Sequence, residues 1–336
     1  MDLHGRDLIC TQEWSIEELE MVLSLAAEMK RERFTHRYSN CLARKTFIML
    51  FYNPSVRTRI SFECAATELG GHAQFLEPRA MRLKTAATAG ETVEDAAKVM
   101  SRYACGLGIR ILEDKISAYG EGDKLIREYA KWATIPVVSM AHDKFHPCQG
   151  LADIMGLREH LGVVKGKKLL MTWGCGALVR SWCSVQENLL ITSRFGMNIT
   201  LAYPEGYDLD PEVIEQVKAN CKANGASFEI IHDPVAGYKG ADVVYSRNWM
   251  SPQAYASGRL DKEGEIRKAM RHPEWICNAE KMALTNDALF IHPMPVDRGH
   301  EVTDEVASGP RSIIYDIAEN RLHVQKALMA LTMGSI

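Results

Sequence analysis

Between Asn53 and Arg59 the chain reads Asn53-Pro54-Ser55-Val56-Arg57-Thr58-Arg59, two hydroxyls and two guanidiniums packed into one short stretch. A guanidinium is a rigid fork of donors that matches phosphate oxygens two at a time, and hydroxyls add neutral donors beside it. Such groups gain most where a strand turns into a helix, because a helix N-terminus offers N–H groups and partial positive charge. The neighbouring residues supply that setting. Thr46-Phe47-Ile48-Met49-Leu50-Phe51-Tyr52 is an apolar, β-prone run of the kind that forms a buried parallel strand, and a helical pattern follows at Ser61-Phe62-Glu63. A lone arginine would read as a surface ion pair, and Ser55 as a helix cap. Two arginines flanking Thr58 at a strand-to-helix loop read as a phosphate cradle. His146 and Cys148 invite a thiol–imidazole reading, but residues i and i+2 do not face each other on a helix. Nothing nearby lowers the thiol pKa, so Cys148 is not taken as a nucleophile.

The elements that must position these groups alternate. Ser15-Ile16-Glu17-Glu18 is a capping-box pattern, and Leu19, Val22, Leu23 and Ala26 recur at helical spacing, which predicts a helix to about Arg31. Strand-like runs recur at 107–111, 136–139, 168–173, 198–202, 227–231, 242–246 and 289–292. Helical patterns lie between them at 94–103, 151–161, 184–195 and 211–224, with a last one at 319–332. Strand and helix in alternation predict an α/β fold of doubly wound parallel sheets with helices on both faces. A chain of 336 residues holds two such domains. We place a first domain at 1–147, with the helix at 319–336 packing back on it, and a second at 148–318.

Composition narrows the function. A net charge of −3 gives no basis for a nucleic-acid partner. The nine cysteines are scattered without a CxxC pair or a metal-ligand spacing, so neither a disulfide framework nor a metal site is expected. No apolar run approaches the roughly 18 residues needed to span a bilayer, and residues 1–7 lack a secretory apolar core. A reduced, cytoplasmic protein that needs no cofactor is expected. Gly174-Cys175-Gly176 follows a strand but lacks the third glycine of a dinucleotide-binding turn, which argues against a nicotinamide-dependent dehydrogenase.

The phosphate segment resembles the Ser-x-Arg-Thr-Arg signature of the aspartate/ornithine carbamoyltransferase family. Three further segments, each at a strand end, resemble that family in order: Gly108-Ile109-Arg110, His146-Pro147-Cys148-Gln149 and His292-Pro293-Met294-Pro295. The resemblance covers nearly the whole chain. It implies a carbamoyltransferase (EC 2.1.3 type) in which Ser55, Val56, Arg57 and Thr58 hold the phosphate of carbamoyl phosphate. By the same resemblance Arg110 reaches the phosphate and carbonyl oxygens, His146 the carbonyl oxygen, Gln149 the carbamoyl nitrogen, and the Met294 carbonyl accepts from the carbamoyl NH2. Arg57, Arg110 and His146 would carry catalysis, and Arg59 matches a mostly structural position. The tetrahedral transition state gathers charge on the carbonyl oxygen and the phosphate, so preorganised donors suit it without a metal or a covalent intermediate. The departing phosphate can take the amine proton. The resemblance also implies a homotrimer with shared active sites.

The acceptor is less legible. Arg247 closes the strand at 242–246, where open α/β sheets bind ligands, and the family keeps a basic residue there for the acceptor carboxylate. Arg298, Arg180 and Lys84 are further candidates. The length from Trp173 to Arg194, and the segments 204–209, 280–286 and 319–326, resemble the knotted branch that includes the N-acetylornithine and N-succinylornithine carbamoyltransferases. A backbone knot in the second domain is therefore expected, with Val179 and Arg180 beside the acceptor pocket. Three features depart from that branch. Its His-Cys-Leu-Pro is replaced by His292-Pro293-Met294-Pro295, which resembles the aspartate enzymes. The proline-rich thread is replaced by Gly174-Cys175-Gly176-Ala177-Leu178-Val179-Arg180. The 79–91 segment is short and lacks the tryptophan lent to a neighbouring subunit; Ala89 aligns with the interface lysine of the aspartate enzymes, and Lys84 lies a few residues earlier. The reading is transfer to a small carboxylate-bearing amine, ornithine or an N-acylated ornithine. Aspartate, or a catalytically silent regulatory paralogue, is the alternative.

Overall fold

The structure is a computed structural model that describes residues 2–81 and 89–335. Its contacts divide the chain into two compact units, residues up to Ala152 together with those from Glu319 onward, and Asp153–Ala318.

In the first unit, α1 (Ile16–Arg31) opens on the capping box: Glu18 N–H donates to Ser15 Oγ at 3.1 Å and Ser15 N–H donates to Glu18 Oε2 at 2.7 Å. Its Leu19, Val22, Leu23, Ala26 and Met29 form one buried stripe. β1 (Thr46–Phe51) is buried along almost its whole length, as a central parallel strand must be. α2 (Val56–Glu68) follows, then β2 (His72–Leu76), α3 (Val93–Tyr103), β3 (Gly106–Ile111), α4 (Glu121–Trp132) and β4 (Val137–His142). The sheet runs β2-β1-β3-β4 with every pairing parallel. α2 begins five residues before the helical rhythm is readable, because Ser55 caps it and its first turns carry Arg57, Arg59 and the exposed Val56 and Ile60. β2 lies at the sheet edge with no residue fully buried, so its sequence has no apolar run to announce it.

The division between units falls within α5 (Pro147–Leu161), and the last helix, α11 (Ile314–Met333), belongs to the first unit from Glu319 onward. There it buries Val324, Ala327, Leu328, Met329 and Ala330, while Lys30 Nζ donates to Asn320 Oδ1 at 2.7 Å and Lys326 pairs with Glu68 at 2.7 Å. At Gly106 a Cβ would stand 2.4 Å from Met333 Sδ, so the Met333 side chain at the end of α11 lies against the backbone of β3.

The second unit holds β5 (Lys168–Trp173), α6 (Cys183–Arg194), β6 (Asn198–Ala202), α7 (Pro211–Asn224), β7 (Phe228–Ile231), β8 (Val243–Arg247), α8 (Lys262–Ala269), α9 (Ala279–Met282), β9 (Leu289–Ile291) and α10 (Asp304–Ala307). Its parallel sheet runs β7-β6-β5-β8-β9. α7 shows local rules at work: Asp210 caps its start, Pro211 takes the first position, and Gly225 ends it at φ +67°. In the first sheet the strand order reverses at β1 and β3, in the second at β5 and β8. The loops leaving those four strands part at the carboxyl edge, where such sheets bind ligands. No helix among the described residues is long and apolar enough to cross a membrane.

Candidate active site

In the first unit the phosphate segment sits where β1 hands over to α2. Thr58 N–H donates to Ser55 Oγ at 3.3 Å, and the two hydroxyls lie 3.1 Å apart, so the residues of the signature cap the helix that presents them. Arg57 is the second residue of α2 and half-buried, whereas Thr58 is buried and Val56 exposed. Arg59 turns outward, pairing with Glu63 at 2.9 Å and lying over the Phe75 ring. Two bonds fasten this loop to the end of β3. Tyr52 N–H donates to the Arg110 carbonyl at 2.9 Å, and Leu112 N–H donates to Asn53 Oδ1 at 2.7 Å. Arg110 itself follows a register shift between β3 and β4 at Ile109/Arg110. Such irregularities re-aim side chains next to functional sites.

His146 is buried just before α5, and its carbonyl receives the N–H groups of Gln149 and Gly150 at 2.9 and 3.2 Å. Gln149 is buried, and its Oε1 accepts from Arg321 Nη1 at 3.0 Å. Arg321 Nη2 donates to Thr58 Oγ1 at 3.4 Å. A buried arginine on α11 thus joins two residues that the sequence assigns to carbamoyl phosphate. Its role is not legible from those motifs, and the likeness of 319–326 to the knotted branch assigns it none. Asn320, Arg321, His323, Gln325 and Lys326 are all buried on this one helix, and such a polar run gives no sign in the sequence of which residue reaches the site.

In the second unit Arg247 is the last residue of β8 and only 7% exposed, and among the described residues its Nε and Nη1 have no hydrogen-bond partner. The backbone on either side is fixed. Gly174 N–H donates to the Arg247 carbonyl at 2.9 Å, and the loop beyond receives the Trp173 and Trp182 indoles on the carbonyls of Trp249 and Met250 at 3.0 and 2.9 Å. Beside it lies a buried charge cluster. His292 Nε2 donates to Glu301 Oε2 at 3.0 Å, and Met294 N–H donates to His292 Nδ1 at 2.9 Å. Because Nδ1 accepts, the imidazole is neutral with its proton on Nε2. Burial holds His292 below its ordinary value, and the Arg247 and Arg180 charges push the same way against Glu301. Burial opposes the charge on Glu301, but His292, its hydrogen bonds and Arg247 outweigh that and bring the carboxyl down to about 2. Met294 sits at φ +52°, a conformation rare for a residue with a side chain.

The segment 174–182 does not lie loose. Met250 N–H donates to the Arg180 carbonyl at 3.1 Å, and Ala177 N–H donates to Asp297 Oδ2 at 2.8 Å. Gly176, Leu178 and Val179 border a small cleft whose other walls include Tyr207, Asn248 and Trp249. Arg180 is half-buried and close enough to His292 for its charge to be felt. Arg298 is exposed, and its Nη1 donates to Asp304 and Ser308 at 2.8 and 2.9 Å, so its guanidinium is already held at the surface. Lys84 lies outside the described residues.

Two measurements test this geometry. Arg57→Ala is expected to stay folded, since Arg57 is half-buried on the first turn of α2, yet to lose measurable binding of carbamoyl phosphate in a calorimetric titration. The second concerns pH. His292 is depressed below 6.5 and Glu301 from 4.5 to about 2, so on acidification the unfolded chain takes up each proton before the folded one does. Both groups stabilise the fold above their unfolded values and lose that contribution as pH falls. Protection of the β8 and β9 amides, corrected for intrinsic exchange, should therefore drop as pH falls below 6.5 and again below 4.5. Flat protection across that range would contradict the assignment.

Comparison with known proteins agrees over the full length. The model of the aspartate/ornithine carbamoyltransferase carbamoyl-P binding domain matches residues 6–159, and that of the Asp/Orn binding domain matches 170–332. The ornithine carbamoyltransferase of Thermococcus kodakarensis is 38% identical, covering 100% of this chain and 99% of that protein. The N-acetylornithine carbamoyltransferase of Xanthomonas campestris is 35% identical, covering 96% of each. A crystal structure of acetylornithine transcarbamylase complexed with acetylcitrulline superposes with a TM-score of 0.90 at 34% identity, over 98% of this chain and 100% of that one. The chain belongs to the aspartate/ornithine carbamoyltransferase family.

Proposed function

We propose that the protein moves the carbamoyl group of carbamoyl phosphate onto the amine of a small acceptor that carries a carboxylate, ornithine or an N-acylated ornithine in type. The observation that carries the acceptor half is Arg247. A buried guanidinium with two donors lacking a partner is costly unless a ligand supplies the missing oxygens, and a carboxylate matches its fork. The relatives named for ornithine and N-acetylornithine support the same class.

On this reading Ser55, Arg57 and Thr58 hold the phosphate at the start of α2, with Val56 contributing its backbone N–H. Arg110 and His146 face the carbonyl oxygen as it gains charge, while Gln149 and the Met294 carbonyl fix the carbamoyl nitrogen. The neutral amine attacks the carbonyl carbon; the new C–N bond forms, the C–O bond to phosphate breaks, and the amine proton leaves with the phosphate. Arg180 and Arg247 hold the acceptor carboxylate. Arg298 is a third candidate, which would exchange its exposed pair with Asp304 for the acceptor carboxylate. The nine free cysteines support a reducing, cytoplasmic setting.

Turnover of carbamoyl phosphate with ornithine, N-acetylornithine, N-succinylornithine and aspartate tests the reading, with transfer to one of them expected. Arg247→Ala should then raise the acceptor KM roughly 10–150-fold, the value of one lost charge-assisted contact, and leave carbamoyl-phosphate affinity unchanged. A catalytically silent chain, with no transfer to any amine, would overturn it. The reading includes the three-subunit assembly that the family resemblance implies. Sedimentation velocity is expected to show a trimer, and a fully active monomer would remove shared sites from the scheme.

A further inference from the structure

Glu301 is fully buried, and its carboxylate gathers donors from three segments. Oε1 accepts from Asn248 N–H at 2.8 Å, the residue directly after Arg247. Oε2 accepts from His292 Nε2 at 3.0 Å, directly after β9, and from Asp297 N–H at 2.8 Å, in the loop beyond Met294. Its main chain is tied as firmly. The Glu301 carbonyl receives Cys277 N–H and Ser246 Oγ, each at 3.0 Å, and Glu301 N–H donates to the Asp297 carbonyl at 2.9 Å. One carboxylate therefore fixes the end of the strand that carries Arg247. Through His292 Nδ1 it also fixes the N–H of Met294.

We infer that Glu301 is a positioning residue, holding Arg247 of the acceptor half in a set relation to the Met294 turn without touching either substrate. The inference rests on the reading that Arg247 takes the acceptor carboxylate. Charge sharpens it, because Glu301 is also a counter-charge for Arg247, and the two roles predict opposite outcomes. If neutralising Arg247 were its whole contribution, removing the carboxylate would leave a more cationic pocket and tighten the grip on an anionic acceptor. If it positions, removal loosens that grip. Glutamine keeps the shape but replaces one oxygen with an NH2 that cannot accept, so at least one of the donors loses its partner.

The test is Glu301→Gln in the full-length protein, assayed with carbamoyl phosphate and whichever of ornithine, N-acetylornithine, N-succinylornithine or aspartate the wild type uses. The expected result is an acceptor KM raised at least about tenfold, the order of one unmet hydrogen bond, with calorimetric affinity for carbamoyl phosphate falling by a smaller factor, because Met294 is one of several groups assigned to it. An unchanged or lowered acceptor KM overturns the inference, and so does an equal loss of both affinities, which would mark a merely structural role. Should that variant fail to fold, His292→Gln keeps a donor toward Glu301 but offers nothing at the Nδ1 position. Its kcat should fall at least about tenfold with the acceptor KM unchanged, because Met294 loses its anchor while Arg247 keeps its own; an unaltered kcat overturns the inference. Wild-type protein run in parallel separates the two claims: inactivity toward every amine strikes the proposed function, whereas an unaffected variant strikes only the role of Glu301.

Discussion

A parallel sheet delivers the carboxyl end of every strand to one edge, and backbone donors and acceptors at that edge must find partners beyond the sheet. Where the strand order reverses, two neighbouring loops part and leave room for a ligand to be such a partner. Both sheets of this protein meet that constraint in the same way. β1 and β3 diverge to give the Ser55–Thr58 turn and Arg110; β5 and β8 diverge to give the 174–182 segment and Arg247. Each half therefore presents its cations where the topology, rather than any single side chain, leaves an opening. The detailed bonds, Tyr52 to Arg110 in one sheet and Gly174 to Arg247 in the other, hold the two diverging loops at a fixed starting point.

Buried charge is handled differently in the two units. In the first, Arg321 reaches from α11 to Gln149 and Thr58, so a helix far along the chain is built into the phosphate half. In the second, Arg247 has an ionised carboxylate nearby in Glu301, whose own hydrogen bonds go to backbone and imidazole donors. An unpaired buried cation is expensive, and a nearby anion that does not chelate it lowers that cost while leaving its donors available to a ligand. That division lets Arg247 remain both buried and receptive.

What the sequence discloses follows how local each interaction is. The Ser55–Thr58 turn is legible because cap, hydroxyls and guanidinium act within one helical turn, and the parallel α/β fold because buried strands such as β1 are continuous apolar runs. β2 escapes notice because an edge strand buries too little to need such a run. Arg321 and Glu301 escape for another reason. Arg321 meets its partners across 172 and 263 residues, and Glu301 meets Asn248 across 53, separations at which no spacing rule operates. Arg298 shows the converse. Its motif makes it a candidate acceptor ligand, and only the fold shows that Asp304 and Ser308 hold its guanidinium at the surface.

The same charges bear on how the amine becomes a nucleophile. An alkylammonium cannot attack a carbonyl until it loses a proton, and none of the proposed ligands is a general base. A nearby positive charge disfavours the protonated form of an amine, just as one cationic group lowers the pKa of a lysine beside it. Arg180 and Arg247 push His292 down while Glu301 pushes it up, so the field that an acceptor amine meets depends on where it stands among these three charges. The acceptor carboxylate offsets part of that field. The proton released on attack has the departing phosphate to receive it.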